Sequence, residues 1–276
     1  MIDKSFSLSM SVYKNDNPEF FKQAVESATI KQTLPPSEIV LVVDGPIPAS
    51  IDCVINELLV ELPIPLNVIR LVQNVGHARS RQTGLEATKC SVVAIMDSDD
   101  ICHPDRFAKQ ISYMKSHPDL DVIGSQITEF VGSENNIVGI RICPENDKDI
   151  KRYLKARCPM NLVTVIFKKD SVQKVGGFID WFCEEDYYLW VRLAENGFKF
   201  GNLNENLVNV RVGQEMYGRR GSWRYFKSEA KLQWYMLRHR VIGLSRFLFN
   251  ILVRFVVQVC MPNWLRGFIF QKLFRK

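Results

Sequence analysis

Asp97, Ser98, Asp99 and Asp100 follow directly on the apolar run Val92 to Met96. Three carboxylates within four positions repel one another unless a cation sits among them. Hard oxygen donors suit Mg2+ or Mn2+, which bind through one or two carboxylates together with substrate phosphates. The run before the cluster is uninterrupted and rich in β-branched residues, as in a strand covered on both faces of a parallel sheet. Its carboxyl end then opens on the crevice where open α/β sheets bind ligands. The cluster reads as a metal-diphosphate site. The same residue types are ordinary turn and cap formers, so Asp100 ahead of Pro104 is also able simply to open a helix.

The elements that must position this cluster are legible upstream. Phe6, Leu8, Met10 and Val12 alternate with serines at 5, 7, 9 and 11, a first strand ending at Tyr13 whose small serine face allows close packing. Asn17, Pro18 and Glu19 spell a cap, a first-position proline and a first-turn acid, which predicts a helix to about Gln32 before Pro35 and Pro36. Glu38 to Val43 is a second strand, closed by the turn Asp44-Gly45-Pro46, and Leu66 to Val72 a third. Asn74 to Thr88 is a loop and helix. Strands separated by helical segments imply right-handed crossovers and a parallel sheet through the first hundred residues. Further on, Pro104 to Ser116 reads as helix, and Asp121 to Phe130, Asn136 to Ile142 and Leu162 to Phe167 as strands. Gly176-Gly177-Phe178 is a loop before Glu184, Glu185 and Asp186, acids that favour the start of a helix running to about Gly197.

Bulk properties narrow the classes. With 276 residues and 46% hydrophobic content the chain can bury a substantial core. Lys and Arg outnumber Asp and Glu by 36 to 30, and residues 241–276 alone carry six cations and no acid. The whole excess therefore lies in the tail, which argues against a broadly basic nucleic-acid surface and for one segment that meets something anionic. Seven scattered cysteines without a CxxC pair fit reduced thiols, and the four histidines lack zinc spacing. Met1 to Lys14 does not read as a secretory signal.

Taken in order, these motifs resemble the glycosyltransferase family 2 enzymes. The matching residues are Ser11-Val12-Tyr13, Val43-Asp44-Gly45, Asn74-Val75-Gly76 with Arg81 and Gly84, Asp97-Ser98-Asp99-Asp100 with Pro104-Asp105-Arg106, Gly176-Gly177-Phe178, and Glu185-Asp186-Tyr187-Tyr188-Leu189-Trp190. They cover roughly residues 5–212, and the ordered set is far more specific than one acidic motif. The resemblance implies an α/β fold of GT-A type: a mostly parallel, Rossmann-like sheet flanked by helices. Residues 1–212 would be the catalytic domain, with a nucleotide-binding half to about 103 and an acceptor-side half from 104.

What the family implies for the site can be stated residue by residue. Tyr13 would flank the nucleotide base, Asp44 would accept a hydrogen bond from it (uracil in many relatives), and Arg81 would lie near the nucleotide. Asp97 would contact the nucleotide-sugar and Asp99 would ligate Mn2+ or Mg2+. Asp186 would be the general base that activates the acceptor hydroxyl, giving inversion, and Glu185 a residue that positions the acceptor. The implied partners are a nucleotide-sugar donor and a saccharide acceptor, lipid-linked, in bacterial surface polysaccharide synthesis. Two rivals make different demands. A sugar nucleotidyltransferase would lean on a glycine-rich phosphate loop with a lysine after the first strand, which Lys14 to Pro18 lacks. A membrane-bound scaffold with a degenerate transferase domain would have no reason to keep Asp44, Asp97, Asp99 and Asp186.

The tail, 213–276, reads as a helical extension. Arg246, Asn250, Arg254 and Gln258 recur every fourth residue within the otherwise apolar stretch Val241 to Met261, so they share one stripe of a helix. Two arginines near the centre of a spanning helix would be costly, so an in-plane helix on the cytoplasmic face of the membrane is expected. Trp264, Arg266, Phe268, Phe270, Lys272 and Phe274 after Pro262 place aromatics among cations, a pattern suited to anionic headgroups. A helix packed on its own domain or in a dimer is the alternative.

Overall fold

The computed structural model of the chain describes residues 5–213 and 222–261. Strands β1 (Ser7–Val12), β2 (Glu38–Val43), β3 (Leu66–Arg70) and β4 (Val92–Met96) form a parallel array in the order β3-β2-β1-β4. Every residue of β2 and β4 is buried, because helices cover both faces of the sheet. The crossovers are α1 (Pro18–Ser27), α2 (Ala49–Glu61) and α3 (His77–Ala87). As its sequence spells, α1 begins with the Asn17 side chain accepting from the backbone N–H of Glu19 and Phe20. The small serine face of β1 receives α3 so closely that a Cβ at Gly84 would lie 2.4 Å from Ser9 Oγ.

Beyond β4 the sheet becomes mixed. Strand β8 (Ile166–Lys168) runs antiparallel to β4, β6 (Val122–Phe130) antiparallel to β8, and β9 (Phe200–Arg211) parallel to β6. The short β5 (Ile101–Cys102) pairs with β9, and β7 (Ile137–Arg141) forms a hairpin with β6. Helices α4 (Arg106–Ser116), α5 (Asp147–Leu154), α6 (Lys169–Lys174) and α7 (Glu185–Glu195) connect them. Helix α8 (Trp223–Arg238) buries Leu232 and Met236 in the same cluster as Leu189 and Trp190 of α7.

Several elements depart from the pattern expected of the sequence. Helix α1 stops at Ser27 rather than near Gln32, because Gln32 Nε2 bonds both the Ser27 and His103 carbonyl oxygens and turns the chain. Leu162–Thr164 is a 3-10 turn and only Ile166–Lys168 is strand. Helix α2, which buries Ile51, Ile55 and Leu58, and strand β9 carried no assignment. Four asparagines and Glu205 give β9 a poor strand propensity. Its nine paired positions along β6, with register shifts near Gln126, hold it in place.

The tail helix is the largest surprise. It spans Leu244–Phe255 (α9) and continues as a π-type turn, Val256–Cys260, yet its polar stripe faces the protein. Asn250, Arg254 and Gln258 are buried, whereas Leu244, Leu248, Phe249 and Leu252 are each more than half exposed. Asn250 Nδ2 donates to the Lys155 carbonyl and to Gln233 Oε1, and Arg254 Nη2 to the Ala156 carbonyl. Arg254 Nε lies 2.7 Å from Glu229 Oε2 as an ion pair. Arg246 alone of the stripe is exposed. Among the described residues no helix is long and apolar enough to cross a membrane. Pro262, Trp264, Arg266, Phe268, Phe270, Lys272 and Phe274 lie outside the described residues.

Candidate active site

The turn after β4 and the first turns of α3 line a cleft of about 830 Å³, together with β7, the turn before β8, and the loop ahead of α7. Asp97 is half-buried and lines it. Ser98 Oγ donates to Asp16 Oδ2 at 2.8 Å, and the same oxygen accepts the Tyr13 backbone N–H, so Asp16 ties the end of β1 to the acidic turn. Sequence reasoning missed Asp16, since eighty residues separate it from its partner. Asp100 is buried and accepts from Arg211 N at 2.8 Å. Its carboxyl is held well above the ordinary range by burial, then by Asp99 and Asp97.

Asp99 stands at the exposed tip of the turn, where the surrounding protein still withholds water. That loss of solvation, with Asp97 and Asp16 adding repulsion, pushes its carboxyl up to about 6. A divalent cation would relieve this crowding, so the residues fit one. Among the described residues no three His, Cys, Asp or Glu side chains form a metal cluster.

Arg81 joins the two halves of the cleft. Its Nη2 donates to Asp97 Oδ1 at 3.1 Å and its Nη1 to Glu185 Oε1 at 2.7 Å, with little of the side chain exposed. The neighbouring Asp186 also lines the cleft; Tyr187 N donates to its Oδ1, and the Cys158 thiol to its Oδ2 at 3.6 Å. Burial, then the Asp186 charge, raise the Glu185 carboxyl, against which Arg81 acts. Behind them the buried Glu184 accepts from Tyr225 Oη at 2.8 Å.

Asp44 has a task that its turn position did not foretell. Its Oδ1 accepts from Val75 N, and its Oδ2 from Gly76 N and Asn74 Nδ2. It thereby clamps the loop before α3 against β2. Gly45, at φ +86°, is required there, because a Cβ would lie 2.4 Å from Asn74 N. Tyr13 is half-buried and meets His77 edge-on, ring centroids 6.4 Å apart. His77 lines the cleft, whereas Tyr13, Asp44 and Asp99 do not: Tyr13 meets His77, Asp44 holds Val75 and Gly76, and Asp99 stands between Asp97 and Asp100, each beside a lining residue. The structure thus gathers Arg81, Asp97, Glu185 and Asp186 around one cavity.

Residues 7–175 match the family described as Glycosyl transferase family 2. The chain belongs to that family. Residues 92–273 also match Glycosyl transferase family group 2. Among similar proteins, the Amylovoran biosynthesis glycosyltransferase AmsE of Erwinia amylovora is 36% identical over 267 residues, covering 97% of this chain and 98% of the relative. The UDP-Gal:alpha-D-GlcNAc-diphosphoundecaprenol beta-1,3-galactosyltransferase of Escherichia coli is 31% identical over 271 residues, 98% of this chain and 97% of the relative. Of solved structures, S. aureus TarS 1–349 in complex with UDP-GlcNAc superposes with a TM-score of 0.67 at 15% identity, over 98% of this chain and 76% of that one. The mannosyltransferase PcManGT from Pyrobaculum calidifontis, in complex with GDP-Man and Mn2+, superposes with 0.64 at 14% identity, over 95% and 72%. The fold is therefore that of the GT-A glycosyltransferases, and this glycosyltransferase carries its acidic turn and its Glu185-Asp186 pair in one cleft.

Proposed function

We propose that this glycosyltransferase moves a hexosyl group from a UDP-sugar to the saccharide of a lipid diphosphate, with inversion, in surface polysaccharide assembly at the cytoplasmic face of the membrane. One observation carries the reading: Arg81 grips Asp97 and Glu185 together, and Asp186 lines the same cleft as the acidic turn. The names of relatives support the donor and acceptor, since the E. coli relative is a UDP-Gal transferase acting on a GlcNAc-diphosphoundecaprenol.

Tyr13 flanks the base. Asp44, with three donors already on a carboxylate that offers about four lone-pair sites, has one left on Oδ1 for a base N–H. Asp97 and Asp99 would hold Mn2+ or Mg2+, which when bound offsets charge gathering on the departing nucleoside diphosphate; PcManGT was solved with Mn2+. Asp186 takes the proton from the acceptor hydroxyl as its oxygen attacks the anomeric carbon, and a single in-line displacement inverts that carbon. Glu185, fixed by Arg81, positions the acceptor.

The membrane contact is assigned to α9. Its outward face is Leu244, Leu248, Phe249, Leu252 and Val256, and the segment 241–276 carries the whole net positive charge of the chain. Apolar side chains among cations suit an anionic bilayer surface. The experiment is transfer from a panel of UDP-hexoses to a synthetic GlcNAc-diphosphoryl-undecyl acceptor, with the product's anomeric configuration read by NMR. Inverted product that disappears in Asp186→Asn is expected; retained configuration overturns the assignment of the base.

A further inference from the structure

Three arginines line the cleft, and they differ in how far they are neutralised. Arg81 is spent on Asp97 and Glu185. Among the described residues, neither Arg141 nor Arg224 pairs with a carboxylate. Arg141, the last residue of β7, donates Nη2 to the Cys158 carbonyl at 2.9 Å, beside Asp186. Arg224, in the first turn of α8, lays its guanidinium 4.0 Å over the Phe182 ring, a stacking that leaves the N–H edge of the guanidinium available.

The position of Arg224 ties this wall of the cleft to the apolar face outside. Its neighbour Trp223 meets Phe255 of α9 edge-on at 6.4 Å, and Phe226 meets the same ring at 5.6 Å. Phe255 and Val256 are exposed on the outward face described above. The order across the molecule is then apolar surface, Arg224, cleft with Arg141, and Asp186.

We propose that Arg141 and Arg224 form a diphosphate subsite for the acceptor: they take the diphosphate that links a saccharide to a polyprenyl lipid. The inference rests on the transferase reading given above and adds to it the residues that select a phosphorylated acceptor. Guanidinium groups bind phosphate oxygens through paired N–H donors, so two unpaired arginines match two phosphates. The polyprenyl chain leaves past Trp223 toward the outward face of α9, and the sugar end reaches Asp186. A donor diphosphate is the other source of the same chemistry. The acceptor is favoured because the donor already has the acidic turn, and because Arg224 adjoins the apolar face.

The test compares the full-length wild type with Arg224→Ala, Arg224→Lys and Arg141→Lys, using a UDP-sugar that the wild type accepts. Two acceptors are supplied, GlcNAc-diphosphoryl-undecyl and the undecyl glycoside without the diphosphate. Arg141→Lys avoids losing the bond to Cys158 outright. The wild type is expected to prefer the diphosphate acceptor at least tenfold in kcat/KM. Arg224→Ala and Arg141→Lys should cut that preference at least tenfold, through acceptor KM, with Arg224→Lys recovering part of it. A rise in donor KM in place of acceptor KM, an equal loss on both acceptors, or an unchanged preference overturns the subsite. A wild type that serves both acceptors equally also overturns it and leaves the transferase reading standing. A wild type that binds and hydrolyses UDP-sugar but transfers to neither acceptor removes the lipid-diphosphate acceptor itself.

Discussion

The β1–β4 half and the α8–α9 half bury opposite things. In the first, Leu8, Ile39, Leu41 and Ile95 are inside and the carboxylates stand at strand ends. In the second, α9 turns Asn250, Arg254 and Gln258 inward and four large apolar residues outward. Each exposed leucine forgoes about 1.5–3 kcal/mol of burial, and a buried ion pair contributes little in return for its desolvation. An aqueous surface does not reward such a helix. The contrast teaches that the two halves obey different rules: the first covers apolar strands and leaves carboxylates at their ends, whereas α9 covers a polar stripe and leaves apolar side chains exposed, as the proposed membrane contact requires.

Removing the proton acceptor should have the largest effect. Asp186→Asn is expected to lower kcat by roughly 10²–10⁴, with UDP-sugar affinity preserved in calorimetry; near-normal turnover would move the base elsewhere. Next comes the acidic turn: Asp99→Asn, or chelation of the wild type by EDTA, should remove metal-dependent thermal stabilisation by the UDP-sugar. Stabilisation that survives both would separate this cleft from any divalent ion.

Two further substitutions set the halves directly against each other. Arg254→Ala leaves the half-buried Glu229 without its ion-pair partner, though still held by Gln258, and a loss of up to about 3 kcal/mol is expected in urea unfolding. Leu252→Glu, on the outward face of the same helix, should cost less than about 0.5 kcal/mol yet release the protein from anionic vesicles in sedimentation. A large stability loss for Leu252→Glu would mean that the face is covered by another part of the protein or by a second copy.

The smallest effect concerns pH. Burial first, then Glu229 and Asp186, hold Glu184 well above its ordinary value of 4.5. The folded chain keeps a proton that the unfolded chain releases above that value. The stabilisation is therefore complete below about pH 4.5 and is lost as pH rises through the folded value. Glu184→Gln should flatten this slope, so that its melting temperature gains on the wild type between pH 5 and pH 8. A gap that stays constant over that range would show Glu184 ionised in the fold.

Strands β2 and β4 were legible to the residue because uninterrupted apolar runs end at strong turn formers. Strand β9 was not, because its asparagines owe their conformation to pairing with β6. The site shows the same division. Asp97, Asp99 and Asp186 announce themselves by type and neighbourhood, whereas the clamp of Asp44 on residues 74–76 and the bridge from Asp16 to Ser98 join positions far apart in the chain.

By itself the sequence determined four strands and two of the three crossover helices in the first hundred residues, the acidic turn, the acidic pair that opens α7 and the spacing of the polar stripe in α9. Periodicity and local turn chemistry act within a few residues, and those features need nothing more. Only the tertiary structure decided that Arg81 would join the two acidic motifs, that Arg141 and Arg224 would share their cleft, and that the stripe would face inward. Periodicity places residues on one side of a helix, but which side is covered depends on what the rest of the chain offers it: here the carbonyls of Lys155 and Ala156 and the carboxylate of Glu229.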